Sequence, residues 1–371
     1  MKILFFGNDA SRSGAPISLL TLIQGIKNIE PQWEITVILL SGGPILEKYS
    51  QNVKTLIYTP PPKSKYLRFR KLFIKANNEV SDLPAFINNY KPELIYINTI
   101  VPIPFLIPIK FNCKVKLICH IREMEMVSSQ FLKGREKKYF KEIDHFFVVN
   151  SRIEKDLVKR FGVDKNKTTV APGPFDLYAY PSKQIVKKES KFNIAMAGTP
   201  TFRKGIDISI HLASLMKDKN VCFHWFGEIS NDKLIELEFE ICKRNIDGTF
   251  KLIGNVDDVY SRFFEMNAFF MSSREDPFPR VAIEAALAEL PIIYFKQLTG
   301  VEDFLNNDSL DLGIDYLDYN SIISIINNLS KDEVLRRDIG RRNRIEAIDY
   351  LNRIDTVLQV RNCILKLIEG N

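Results

Sequence analysis

The chain has 371 residues, of which 45% are hydrophobic and 26% charged, with a formal net charge of +7. That length exceeds a usual single domain, and the composition is that of an ordinary globular protein. Five cysteines without a Cys-x-x-Cys spacing exclude a disulfide framework, and the start MKILFFGND is too short an apolar stretch for a signal peptide. The longest apolar run, Ile100 to Ile109, carries three prolines and is about half the length of a membrane span. A soluble, cytoplasmic protein with free thiols is the expectation. Charge is unevenly placed: residues 1–180 hold 27 Lys/Arg against 16 Asp/Glu, and the remainder 25 against 29. Only the first half is therefore suited to a polyanion or an anionic membrane surface.

Short apolar runs bounded by turn residues alternate with helical patterns. In chain order they predict strands at Lys2–Phe6, Glu34–Leu40, Thr55–Tyr58, Leu94–Asn98, Val115–His120, Phe146–Asn150 and Thr168–Ala171. A second series covers Phe192–Ala197, Val221–Phe226, Phe250–Ile253, Ala268–Met271 and Ile292–Phe295. Near-continuous apolar strands are covered on both faces, which means parallel sheets flanked by helices. Two series predict two doubly wound α/β domains, with a ligand site at the carboxyl ends of the strands, in a cleft between them.

After the first strand, Gly7 and the segment Ser13-Gly14-Ala15-Pro16 lead into a helix. Small residues let the backbone approach a ligand, and Pro16 suits a first helical turn. Neither Gly-x-Gly-x-x-Gly nor Gly-Lys-Ser/Thr is present, so this is neither a dinucleotide fingerprint nor a Walker loop. Pro60–Lys75 interleaves six cations with aromatic and aliphatic residues and no acid. It fits the headgroup layer of an anionic membrane or a core-packed helix with a solvated basic face; no nucleic-acid motif accompanies it. His120 ends its strand, followed by Arg122 and Glu123. Ser151 and Glu154 have capping-box spacing. The domain boundary is expected within Pro174–Lys191, giving domains over 1–178 and 179–350 and a last helix over 351–371.

In the second half, Arg203 and Lys204 stand between a glycine-ended strand, closed by Gly198, and a helical pattern. Gly254-Asn255-Val256 forms a strand-to-helix loop where Asp257 or Asn255 can cap the next helix. Ser272 to Phe295, SSREDPFPRVAIEAALAELPIIYF, reads as strand end, acidic loop, helix, proline and strand. Asp276 and Glu284 lie eight positions apart across a helix start, where unpaired N–H groups and the helix dipole favour an anion. Alone, Asp276 would serve as a cap and Glu284 as a solvated helix residue. Lys331 to Ile368 predicts an amphipathic helical tail.

The run SREDPFP…EAALAELPII resembles the Glu-x7-Glu signature of the retaining glycosyltransferases of family 4, which have the GT-B fold of two Rossmann-like domains facing across a cleft. The likeness spans almost the whole chain and is strongest from Ala197 to Phe295. It implies catalytic roles for His120, Arg203, Lys204 and Asp276, with Arg203 and Lys204 clamping the donor diphosphate. Donor contacts fall to Gly14, Ala15, Gly198, Val256, Glu275, Phe278, Arg280 and Glu284, the last holding ribose; acceptor contacts fall to Arg12, Arg122 and Glu123. The chain departs from the pattern at Asp276, where Glu is usual, at Pro279, where Gly is frequent, and at Thr199, where Arg is frequent. No Asp-x-Asp occurs, so neither metal nor cofactor is expected. The implied partners are a nucleotide sugar, a glycan or lipid-linked acceptor and an anionic membrane at the inner face of the cell, without nucleic acid. The competing expectation is a GT-B-shaped binding or regulatory protein without turnover.

Overall fold

A computed structural model describes residues 1–59, 79–110, 115–181, 191–305 and 312–370. The basic stretch 63–75, residues 182–190 of the expected boundary, and Cys113 lie outside the described residues. The chain divides into two compact units, one formed by Met1–Phe175 with Ile354–Asn371 and the other by Asp176–Arg353.

Among the described residues, the first unit has an all-parallel sheet of eight strands: β1 (Lys2–Gly7), β2 (Glu34–Leu39), β3 (Lys54–Tyr58), β4 (Glu79–Val80), β5 (Leu94–Asn98), β6 (Lys116–Ile121), β7 (His145–Val148) and β8 (Thr168–Val170). Their order is β4-β3-β2-β1-β5-β6-β7-β8. Ile3 to Phe6 and all of β5 are buried, as strands must be when helices cover both faces. The second unit has six parallel strands: β9 (Phe192–Ala197), β10 (Val221–Phe226), β11 (Phe250–Gly254), β12 (Ala268–Met271), β13 (Ile292–Phe295) and β14 (Gly313–Ile314), ordered β11-β10-β9-β12-β13-β14. The order reverses direction at β1/β5 in one sheet and at β9/β12 in the other. Adjacent crossovers leave on opposite faces there, which opens a crevice at the strands' carboxyl ends. The loops after β1, β5, β9 and β12 therefore surround the two positions where such a sheet can hold a ligand.

The helix Gly14–Ile29 buries Leu19, Leu22, Ile23 and Ile26 at helical spacing against the first sheet. Thr356–Glu369 packs beside it, adding Val360 and Ile364 to the same core. A Cβ on Gly25 would lie 2.7 Å from Val357 Cγ2, so the glycine lets these helices meet closely. Arg361 pairs with the nearly buried Glu30 at 2.5 Å, and Thr356 Oγ1 donates to the Pro172 carbonyl at 2.6 Å. The expected tail is broken in two: Glu333–Arg353 packs within the second unit, and a new helix starts after Asp355, whose carboxylate accepts from Leu358 N at 3.0 Å.

Two local assignments are corrected. Asn150, not Ser151, caps the helix Ser151–Phe161, its Oδ1 accepting from Ile153 N at 2.9 Å; Glu154 turns away to Thr168 Oγ1 at 2.8 Å and to Lys165. Asn150 is the last extended residue (φ −153°, ψ 165°) and Ser151 is already helical, so the Asn150 side chain is the one aimed at the third N–H. Likewise Asp258, rather than Asp257 or Asn255, caps Val259–Phe263. Cys119 and Cys222 are buried free thiols, and Cys242 is exposed.

Candidate functional site

In the second unit, strand β9 ends at Ala197, Gly198 follows, and the chain turns through Arg203 and Lys204 into the helix Ile206–Leu215. Gly205 makes that turn possible: its φ is +73°, and a Cβ there would come within 2.1 Å of the Ser272 carbonyl oxygen. The loop after β9 thus lies directly on the loop after β12. Arg274 N donates to the Arg203 carbonyl at 2.8 Å, and Ser272 Oγ to the Lys204 carbonyl at 2.9 Å. Arg274 also grips Asp207 in a bidentate pair at 2.8 and 2.7 Å, with its guanidinium 3.7 Å from the Phe202 ring centroid. This bond holds the Asp207 carboxyl below its ordinary range.

The two cations singled out in the sequence reach the same dipeptide. Arg203 Nη1 donates to the Glu275 carbonyl at 2.6 Å, and the Lys204 ammonium forms an ion pair with the Asp276 carboxylate. Both side chains of that pair are largely buried. Asp276 is therefore no helix cap. The next helix, Arg280–Leu287, follows Pro279 with no side-chain cap and no acid in its first turn; Arg280 N donates to the Phe278 carbonyl and Ala282 N to the Pro279 carbonyl, both at 2.9 Å, and no carboxylate opposes the positive end of its dipole. Gly198 has a φ of +135°, and a Cβ there would meet the Lys204 chain at 3.2 Å. Phe278 and Arg280 are partly buried at the helix start, and Val256 is partly buried in the loop after β11.

Glu284 is nine-tenths buried within that helix rather than solvated. Burial raises its carboxyl above the ordinary value, opposed by the charge of Arg280 and by a hydrogen bond from Tyr180. The Tyr180 hydroxyl donates to Glu284 Oε1 at 2.9 Å. Sequence reasoning missed Tyr180, which is 104 positions away and carries no local signal. It missed the Arg274–Asp207 lock for the same reason.

In the first unit, the other expected residues fall after β1 and at the end of β6. Gly14 and Ala15 open the first helix, whose N-cap Ser13 makes no side-chain capping bond; Arg12 is exposed beside them. His120 departs from its expected direct contact with a sugar. Its ring is fully buried, with Nε2 2.8 Å from the Ala171 carbonyl and Nδ1 2.6 Å from the Tyr96 hydroxyl. A carbonyl can only accept, so Nε2 carries the hydrogen and Nδ1 accepts from Tyr96. Burial, helped by the Arg122 charge, pushes the His120 pKa well below its usual value and keeps the ring neutral. Arg122 Nε donates to Asn98 Oδ1 at 2.8 Å, and Asn98 Nδ2 donates to the Ala15 carbonyl at 3.2 Å. This relay ties β6 to the glycine-bearing loop. Glu123 is engaged with backbone, accepting from Ile100 N at 3.2 Å and Arg122 N at 3.0 Å. It also borders a hollow of about 260 Å³ floored by Met124, Phe140, Leu157 and Phe161.

Among the described residues, no group of three or more His, Cys, Asp or Glu could hold a metal ion, and no helix is long and apolar enough to cross a membrane.

Comparison with known proteins follows the same division. Residues 13–178 match the model of Glycosyltransferase Family 4, and residues 181–346 that of Glycosyl transferases group 1. The capsular polysaccharide biosynthesis glycosyltransferase CapM of Staphylococcus aureus is 33% identical over 93 residues, which is 25% of this chain and 24% of that protein. Among solved structures, Anabaena HepE in complex with UDP-glucose superposes with a TM-score of 0.78 at 17% identity, over 100% of both chains. Sucrose-phosphate synthase from Thermosynechococcus elongatus gives 0.78 at 16% identity, also over 100% of both.

Proposed function

The chain belongs to the GT-B glycosyltransferases of family 4, and on that premise we propose that it transfers a sugar, with retained anomeric configuration, from a nucleoside-diphosphate donor to an acceptor hydroxyl. The observation that carries the reading is the convergence of Arg203 and Lys204 on Glu275–Asp276, directly ahead of the helix bearing Glu284. Glu284 would accept from the ribose hydroxyls. Asp276, with Glu275, would orient the sugar hydroxyls, and Gly198, Val256, Phe278 and Arg280 would border the nucleotide. The HepE complexes support a uridine donor.

In the reaction, the bond between the anomeric carbon and the diphosphate oxygen breaks, and a bond to the acceptor oxygen forms on the same face. The acceptor proton passes to the departing phosphate oxygen, so no separate nucleophile and base are needed. Negative charge grows on the diphosphate as it leaves, and stabilisation that strengthens in that direction lowers the barrier rather than tightening the ground state. Lys204 suits this role. Its ammonium rests on Asp276 before the donor arrives, and a diphosphate would share it. Arg203 and the uncapped helix N-terminus would add donors, and no metal is required by this scheme. In the first unit, His120 would act at one remove, holding Arg122 and the loop of Gly14 and Ala15, while Arg12, Arg122 and Glu123 would meet the acceptor.

The acceptor we propose is a glycan or lipid-linked saccharide of bacterial surface polysaccharide assembly, reached by a protein that binds peripherally at the inner face of the cytoplasmic membrane. The name of CapM and the basic first half support this. The test is a panel of nucleotide sugars beginning with UDP-glucose, followed by thermal shift and by release of nucleoside diphosphate. Binding without release, with or without added acceptor glycans, would leave a nucleotide-sugar-binding protein instead. Proton NMR of the product's anomeric signal decides retention.

A further inference from the structure

Tyr180 lies at the start of the second unit, outside every motif that marks the donor site, and supplies the one hydrogen bond that reaches the Glu284 carboxylate among the described residues. We infer that Tyr180, braced by Tyr260, is a positioning residue that keeps Glu284 ionised and aimed at the nucleotide's ribose. The inference rests on the reading of Glu284 as the ribose acceptor and goes beyond it by assigning what makes that carboxylate usable.

A ribose diol brings two O–H donors, and only an ionised carboxylate is acceptor at both oxygens. Glu284 is buried, and burial disfavours its charged form. The Arg280 charge first, and then the phenolic neighbour by donating to Oε1, offset this against a further push from Asp258; the phenol fixes the plane of the group and leaves Oε2 and the second lone pair of Oε1 to the ligand. Tyr180 is a dependable donor, since burial and the adjacent Glu284 charge push its own ionisation far above any working pH.

The phenol is held in place from behind. The Tyr180 and Tyr260 rings meet edge to face, with centroids 5.0 Å apart at 85°. The Tyr260 hydroxyl donates to the Pro181 carbonyl at 2.9 Å and stands 3.3 Å from the carbonyl of Leu287, the last residue of the Glu284 helix. A second ring, Phe264, closes on Tyr260 with centroids 5.0 Å apart. The strap therefore spans from residue 180 to both ends of the relevant helix turn, and the substitution Tyr180→Phe keeps its ring packing while deleting the hydroxyl that donates to Glu284 and meets Arg280.

UDP, GDP and ADP are each titrated calorimetrically into the full-length wild type from pH 5 to 8.5. The tightest binder is then carried to Tyr180→Phe and Glu284→Gln, and repeated with its 2′,3′-dideoxy counterpart. The expected result is an affinity about tenfold weaker in Tyr180→Phe at pH 7. Losing the donor raises the Glu284 pKa further, so the acidic fall-off in binding moves to higher pH. It vanishes in Glu284→Gln, and the dideoxy ligand binds Tyr180→Phe and wild type alike. Unchanged affinity and pH profile in Tyr180→Phe, with binding lost in Glu284→Gln, overturns the positioning role and leaves the donor reading standing. Tighter binding by Tyr180→Phe also overturns it, since the phenol would then be occupying the ribose place. Undiminished binding by Glu284→Gln, or no binding of any of the three by wild type, overturns the donor reading itself.

Discussion

The two units use their buried polar side chains in different ways. In the first, His120, Tyr96, Arg122 and Asn98 form a relay in which the imidazole is sealed and both its nitrogens are bonded. In the second, Lys204 and Asp276 satisfy each other across two loops, while Tyr180 braces Glu284 within its helix. A buried relay fixes geometry because breaking it strands polar groups away from water. The Lys204–Asp276 pair joins two loops, and an incoming diphosphate and sugar hydroxyl can take the place of each partner. The contrast separates groups that shape the site from groups that exchange partners with a ligand.

Removing an exchangeable charge should have the largest effect. Lys204→Ala is expected to lower kcat by about 10²–10³-fold with a smaller change in KM, because the ammonium matters most as the diphosphate departs; steady-state kinetics on the preferred donor reads this. An effect confined to KM would place Lys204 among groups that bind ground and transition states equally.

A blow to the scaffold between the second unit's loops comes next. Gly205→Ala puts a side chain at positive φ and against the Ser272 carbonyl, and should cost roughly 2–4 kcal/mol. Chemical denaturation of the second unit would show it, and an unchanged midpoint would mean the loops are not pressed together as described.

The sealed relay is open to a pH test. The folded pKa of His120 lies below its unfolded value of about 6.5, so the unfolded chain binds the extra proton first. Stability should be full above about pH 6.5 and fall as the pH drops below it; His145, held near a pKa of about 4, adds to the same trend. His120→Gln should flatten the dependence of the thermal midpoint between pH 7 and 5, and kcat of the wild type should show no limb from this ring between pH 6 and 8.

The smallest expected effect concerns local structure alone. Asn150→Ala should cost about 1 kcal/mol through its lost cap, while Ser151→Ala stays within about 0.5 kcal/mol, and neither should alter turnover. Equal losses from both would restore Ser151 to a capping role.

The strands were readable from the sequence because a doubly covered strand must be apolar throughout. Leu94–Asn98, Phe192–Ala197, Val221–Phe226, Ala268–Met271 and Ile292–Phe295 appear with the boundaries expected from the residues. Glu79–Val80 and Gly313–Ile314 escaped notice, since two-residue edge strands have no periodicity to detect. The cap at Asn150 was misplaced by one position, an error that a single extended residue decides. The motif residues of the second unit were legible because they cluster in sequence at 203–204 and 275–284. What closes around them was not: Tyr180 and Glu284 are brought together by the folding of a whole unit, as are Arg274 and Asp207. The burial of His120 was likewise invisible, because a histidine ending a strand has the same sequence signature whether its ring faces water or an inner carbonyl.

The packing of Thr356–Glu369 against Gly14–Ile29 bears on how the protein is made. A ribosome delivers Met1–Phe175 first, then the 176–353 unit, and only afterwards the helix that covers Leu22, Ile23 and Ile26. For the time needed to translate the intervening stretch, the first unit lacks one wall of its interior. Those side chains must wait, shielded by transient collapse or by chaperones, until Thr356–Glu369 emerges and latches over them.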